Sequence, residues 1–340
     1  MKPRPLGPRP VAPIGLGCMN FCWAYRPPLP EAEVGRLLLE ALDLGVDHID
    51  TAALYGFGIS ETLVGRYLAP HRSRFLLASK GGLAGETFPD GVVRRVIDGR
   101  PETLRRHVEA SLQRLRTDVI DLYYLHRYDR RVPIEESVGA LADAVRAGHI
   151  RAIGLSEVSA ATLERAHAVH PIAAVQSEYS AWSRNVEIGV LDACRRLGAA
   201  FVAFSPVARG YLTGTPPDPA TFDAKDIRRA MPRFGADWWP RNLERRAAFV
   251  ALAEEAGCSP AQLALAWVLA QGPHVVAVPG TASIAHLREN AATTRLQVSP
   301  ALLARVTALF PPDVAGPRYS DATQREIDTE QFPAPGAAVA

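Results

Sequence analysis

The chain has 340 residues, 48% of them hydrophobic and 22% charged, with a formal net charge of +2. So small an excess of positive charge argues against nucleic acid or an anionic membrane as a partner, since both need a concentrated basic surface. Cys18, Cys22, Cys194 and Cys258 are few and include no second pair that would complete a zinc site beside the C-x3-C spacing, so no metal is expected.

The opening stretch, MKPRPLGPRPVAPIGLG, has no apolar h-region, and no window offers about 18 uninterrupted apolar residues. The expectation is a cytoplasmic protein with free thiols. Short β-rich runs then recur along the chain: APIGLGCM, VDHIDTA, RFLLASK, DVIDLYYLH, RAIGLS, IAAVQSEY, AFVAFSP and VVAVPG. Between them lie amphipathic stretches such as EAEVGRLLLEALDLG, where Val34, Leu37, Leu38, Ala41 and Leu42 recur at helical spacing. Gly45, Gly148 and Gly198 stand where helices end before strands, and Pro101 opens PETLRRHVEASLQRL.

Strands alternating with helices imply parallel pairing through crossovers, and near-continuous apolar strands imply a sheet covered on both faces. Eight such units predict a closed α/β barrel of the (β/α)8 (TIM) type with long loops over its mouth. An open doubly wound sheet is the rival, but GLGCMN lacks the third glycine of a dinucleotide fingerprint. Residues 1–325 are read as one domain and 326–340 as a polar, flexible tail.

In a barrel, chemistry gathers where strands end. Asp50, Lys80, His126, Ser156, Gln176 and Ser205 stand at such ends, and Tyr55 follows Asp50 closely. A phenol with a pKa near 10 is a poor acid at neutral pH unless a cation stabilises the phenolate. Lys80 could supply that cation, Asp50 could hold the lysine charged, and His126 could bond the oxygen that takes the proton. Taken singly, each residue has a bland alternative: a packed histidine, an exposed lysine at a strand end, a loop tyrosine. As a set on consecutive strand ends they point to a site that protonates a carbonyl oxygen while hydride reaches its carbon.

The motifs DTAALYGFGISETLVGRYL, SK at 79–80, DVIDLYYLHRYD, AIGLSE, VQSEYS, FSPVARGYLTG and VPGTASIAHLREN, in this order and spacing, resemble the aldo-keto reductases. The resemblance is strongest to the bacterial and plant branch carrying S-P-x-x-R-G-x-L-T-G. It implies an NAD(P)H-dependent oxidoreductase reducing aldehydes or ketones, with Tyr55 as general acid and Asp50, Lys80 and His126 completing the catalytic tetrad. It implies NADPH as cofactor, with NADH use left open. The nicotinamide end falls on Met19, Asp50, Ser156, Gln176 and Phe204, and on Glu157, where relatives often carry Asn or Arg. The pyrophosphate loop falls on Ser205, Pro206, Val207, Ala208 and Arg209. The adenosine end falls on Gly280, Thr281, His286, Glu289 and Asn290.

At Ala282, Ser283 and His286 many relatives carry Lys or Arg, so His286 or Arg288 is left to meet a 2′-phosphate. Substrate contacts are expected from Trp23, Tyr55, His126 and Trp182. Phe21, Cys22, Trp238 and Trp239, and the long stretch 213–242, are further candidates for the pocket wall. The partner is a small carbonyl compound, and a homo-oligomer stays open. Two rival readings remain at this point. One is a cofactor-binding regulatory or redox-sensing module with weak reductase activity. The other is an aldolase-like barrel with Lys80 as Schiff-base nucleophile.

Overall fold

A computed structural model describes residues 1–312 and 314–332. The eight apolar runs form strands β1 (Leu16–Gly17), β2 (His48–Asp50), β3 (Leu76–Gly81), β4 (Leu122–Leu125), β5 (Ile153–Ser156), β6 (Ile172–Glu178), β7 (Ala200–Phe204) and β8 (Val275–Val278). Neighbours pair in parallel in chain order. Bridges Ile14–Ala277 and Gly17–Gly280 bring the chain around β1 against β8, so the sheet closes on itself as a (β/α)8 barrel. Helices such as Glu31–Asp43, Pro101–Leu115 and Ile134–Arg146 lie between the strands, each burying one apolar stripe. Gly45, Gly148 and Gly198 take φ of 80°, 79° and 72° just beyond their helices, the left-handed closure that glycine tolerates.

Side chains alternate along each strand, one toward the helices and the next into the barrel. Leu77, Leu125, Leu155 and Phe201 join the large outer core. Leu76, Ala78, Leu122, Tyr124, Ala174 and Val202 form a separate inner cluster. The Tyr124 ring fits inside because β5 carries Gly154 there, where a Cβ would lie 2.4 Å from Tyr124 Cδ1.

Two hairpins escape the sequence reading. Arg4–Leu6 pairs with Arg9–Val11, and Leu6 and Val11 pack into the inner cluster as the barrel floor. Arg4 fastens this hairpin by donating to the carbonyls of Leu269 and Gly272, each at 2.8 Å. Leu83–Thr87 pairs with Val93–Ile97 beside β3. The stretch 213–242 is a chain of short turns, Pro219–Thr221, Ile227–Ala230 and Pro232–Phe234, leading into the helix Trp239–Glu255.

The first part of the expected flexible tail is bound to the barrel. Asp328 N donates to Glu157 O at 3.0 Å, Asp328 Oδ2 accepts from the Ser159 amide at 3.1 Å, and Glu330 Oε1 accepts from Ala160 N at 2.7 Å. These acceptors meet the unpaired N–H groups at the start of the helix Ala160–Val169, which explains why a polar segment docks. The remainder of that expected tail, 333–340, lies outside the described residues.

Candidate active site

The alternation that packs the barrel also builds the site. On β3 the inward series Leu76, Ala78 continues with Lys80. On β4 Leu122 and Tyr124 lead to His126, and on β6 Ala174 leads to Gln176. Apart from His48 on β2, the lower layers are apolar, and the layer at the C-terminal ends is polar, so the polar groups meet at one mouth.

They meet within hydrogen-bonding distance. Lys80 Nζ is hydrogen-bonded to Asp50 Oδ1, and donates to Thr51 O at 3.0 Å and to the Tyr55 hydroxyl at 3.3 Å. Gln176 Nε2 donates to the second Asp50 oxygen at 2.7 Å. The Tyr55 and His126 rings stand edge to face with centroids 5.9 Å apart. Lys80 is 1% exposed and Asp50 2%, so neither charge has water to fall back on and each depends on the other.

Burial pulls the Lys80 ammonium down, but Asp50 and Tyr55 outweigh it and hold its pKa above the ordinary lysine value. That argues against a neutral lysine nucleophile. Burial pushes the Tyr55 phenol above its usual value, and Lys80 opposes that rise without cancelling it. Lys80 thus acts on Tyr55 in the expected direction, while burial keeps the phenol protonated and above its usual value. Burial, with Arg127, Lys80 and Arg95 adding positive charge, holds His126 well below the histidine range and its imidazole neutral.

Above these groups opens a cavity of about 780 Å3. Trp23, Leu54, Tyr55, Leu83 and His126 line its catalytic end. It runs past Met19, Ser156, Gln176 and Phe204, then along Ser205, Pro206, Val207 and Arg209. Its far end is bounded by Gly280, Thr281, His286, Glu289 and Asn290. A Cβ at Gly280 would lie 2.5 Å from Asn20 Oδ1, so any larger residue there would push the Asn20 side chain aside. Ser205, Ala208 and Arg209 have φ of 49°, 54° and 55°, a cost to non-glycine residues that clusters beside the cavity.

Several expected contacts turn elsewhere. Glu157 is fully buried and paired with Arg318, and its Oε1 accepts from the Glu178 amide at 2.8 Å, so its side chain belongs to an internal ion network. Ala208 and Trp182 are buried in the outer core. The Trp182 ring stacks on Tyr211 with centroids 4.3 Å apart, and the Arg233 guanidinium lies 4.4 Å from its centre. Phe21 and Cys22 are core residues too, Trp239 packs on Phe234, and Trp238 lies against Gly316. Arg209 reaches the cavity, yet its NH2 donates to Glu178 at 2.6 Å and to Tyr319 at 2.8 Å. Arg288 is turned away and paired with Glu40 at 2.7 Å, which leaves His286 on the cavity wall.

The sequence reading missed Asn20, Tyr25, Arg95, Arg127, Arg228 and Tyr319, all of which line the cavity. Arg127 had a usable signal, standing next to His126 in LHRYD, whereas Tyr319 comes from a segment with no β or helical period. Among the described residues no group of three or more His, Cys, Asp or Glu could hold a metal ion. No helix among them is long and apolar enough to cross a membrane.

A buried carboxylate–ammonium pair, a phenol and an imidazole thus meet at the C-terminal mouth of a (β/α)8 barrel, where such barrels carry their active sites. The model of the aldo/keto reductase family matches residues 13–310. "Probable aldo-keto reductase 1" of Glycine max is 40% identical over 311 residues, covering 91% of this chain and 88% of that protein. The aldo-keto reductase yakc of Schizosaccharomyces pombe, whose name carries NADP(+), is 38% identical over 338 residues, 98% of each chain. Among solved structures, the glycerol dehydrogenase AKR11B4 from Gluconobacter oxydans superposes with a TM-score of 0.82 at 30% identity, over 94% of this chain and 98% of that one. The chain belongs to the aldo/keto reductase family, and it is an oxidoreductase of carbonyl chemistry.

Proposed function

We propose that the protein reduces aldehyde or ketone carbonyls to alcohols with NADPH, and that Tyr55 is the general acid. The observation that carries this is the Asp50–Lys80–Tyr55–His126 constellation opening on one end of a long cavity. The cavity fits an extended dinucleotide: Ser156 and Gln176 offer polar groups near the tetrad, Phe204 offers a ring face, and Gly280 and Thr281 line the far end. His286 and Thr281 are the groups there that would meet a 2′-phosphate.

Bound NADPH would supply hydride to the carbonyl carbon. Tyr55 donates its phenolic proton to the carbonyl oxygen, and Lys80 at 3.3 Å stabilises the phenolate that remains until water restores the proton. His126, held neutral, donates an N–H to the same oxygen and orients it. Asp50 keeps Lys80 charged. The rival readings as a regulatory module or an aldolase gain no support of their own. A paired, charged Lys80 disfavours Schiff-base chemistry, and a pure binder has no use for all four groups. The test is reduction of benzaldehyde with NADPH, followed by cofactor oxidation and benzyl alcohol formation in equal amounts. No turnover with a folded, NADPH-binding protein would sink the reading.

A further inference from the structure

The catalytic end of the cavity is more cationic than proton transfer to a neutral carbonyl requires. Beyond Lys80, whose charge Asp50 answers, two guanidinium groups line it, Arg127 and Arg95. Arg127 NH1 donates to two neutral oxygens, His126 O at 2.7 Å and Ser156 Oγ at 3.2 Å. Its Nε is buried with no hydrogen-bond partner among the described residues. Arg95 reaches the cavity from the hairpin strand Val93–Ile97. It pairs with Glu326 at 2.7 Å through side chains 34% and 38% exposed, and a pair so open to water is weak enough for another carboxylate to displace. Both arginines lie near enough to His126 to contribute to the positive field upon it. Trp23, Leu54 and Leu83 supply apolar wall at the same end.

A positive field beside low-dielectric walls concentrates and holds anions, and a guanidinium fork matches a carboxylate in shape. We infer that the preferred substrates carry a carboxylate apart from the reacting carbonyl, with Arg95 and Arg127 holding that carboxylate while the carbonyl meets Tyr55 and His126. Arg95 exchanges Glu326 for the substrate's carboxylate on binding. This rests on the reductase reading above.

The test compares 4-carboxybenzaldehyde with benzaldehyde, reading kcat/KM for each with saturating NADPH. The wild type favours the carboxylated aldehyde, and the ratio falls as ionic strength rises. Arg95→Ala lowers that ratio by about tenfold, chiefly through KM, as expected for loss of a charge-assisted contact. Arg95→Lys restores part of it, Arg95→Glu lowers it further than Arg95→Ala, and Glu326→Gln raises it by removing the competitor. Reduction of benzaldehyde with an equal or higher kcat/KM than 4-carboxybenzaldehyde overturns the inference and leaves the reductase reading standing. So does a ratio that Arg95→Glu does not move. Failure to reduce either aldehyde overturns both.

Discussion

Replacing Lys80 with Met separates its chemical from its structural role. The ammonium lies 3.3 Å from the Tyr55 oxygen. At an effective dielectric near 20, a unit charge at that distance stabilises a full phenolate by about 5 kcal/mol. A transition state that has moved half of the proton's charge feels about 2.5 kcal/mol, or about seventyfold in kcat. The same change leaves Asp50 buried with only the Gln176 amide and no cation, and losing one partner of a buried pair costs about 3–5 kcal/mol of stability. The Asp50→Asn/Lys80→Met double variant removes both charges, so it regains much of that stability and none of the activity. The assay is steady-state benzaldehyde reduction beside urea denaturation of all three proteins. The pH profile adds a sign: Lys80 holds the Tyr55 phenol down against burial, so its loss moves the alkaline limit of reduction upward. A folded Lys80→Met enzyme within threefold of wild-type kcat would refute the reasoning.

Other consequences are equally measurable. His48 is fully buried with neither ring nitrogen partnered among the described residues, and burial holds its pKa at about 4, so the folded chain keeps it neutral. The unfolded chain takes up that proton near pH 6.5, so stability falls from there until about pH 4, by about 3 kcal/mol in total. The stability difference between wild type and His48→Leu, measured by urea denaturation, should therefore shift in the variant's favour on going from pH 7 to 4.5. Arg318→Met strands the fully buried Glu157 carboxylate and should lower stability by about 3–5 kcal/mol, seen as a drop in Tm. If His286 meets the 2′-phosphate, His286→Ala weakens NADPH binding measured by calorimetry and leaves NADH binding unchanged.

The barrel was legible because each strand is a short apolar run set between helical periods and glycine stops, and burial on both faces leaves little other choice. The meeting of Asp50, Tyr55, Lys80 and His126 was legible because a polar residue at the end of an apolar strand has few structural reasons to be there. Other features depend on partners far along the chain. Glu157 follows Ser156 and looked like a second cofactor contact, but Arg318, 161 residues away, claims its carboxylate. Trp182 looked like a pocket wall because an aromatic after a strand reads the same whether it faces the cavity or the core. The floor hairpin hid in a proline-rich opening, where Pro5 and Pro10 face each other in the pairing and only the burial of Leu6 and Val11 makes sense of it. Residues 326–332 gave little sign that they dock, because the docking satisfies a helix start and buries a lone apolar side chain, Ile327, rather than an apolar face.

The central claim, that Tyr55 gives the proton while Lys80, Asp50 and His126 set its environment, is tested most directly by single-turnover reduction of benzaldehyde by Tyr55→Phe with NADPH bound. The ring is kept and only the hydroxyl is lost, so NADPH affinity should hold while the rate falls by about 10²–10⁴-fold. A Tyr55→Phe protein that binds NADPH and turns over at the wild-type rate would contradict the account.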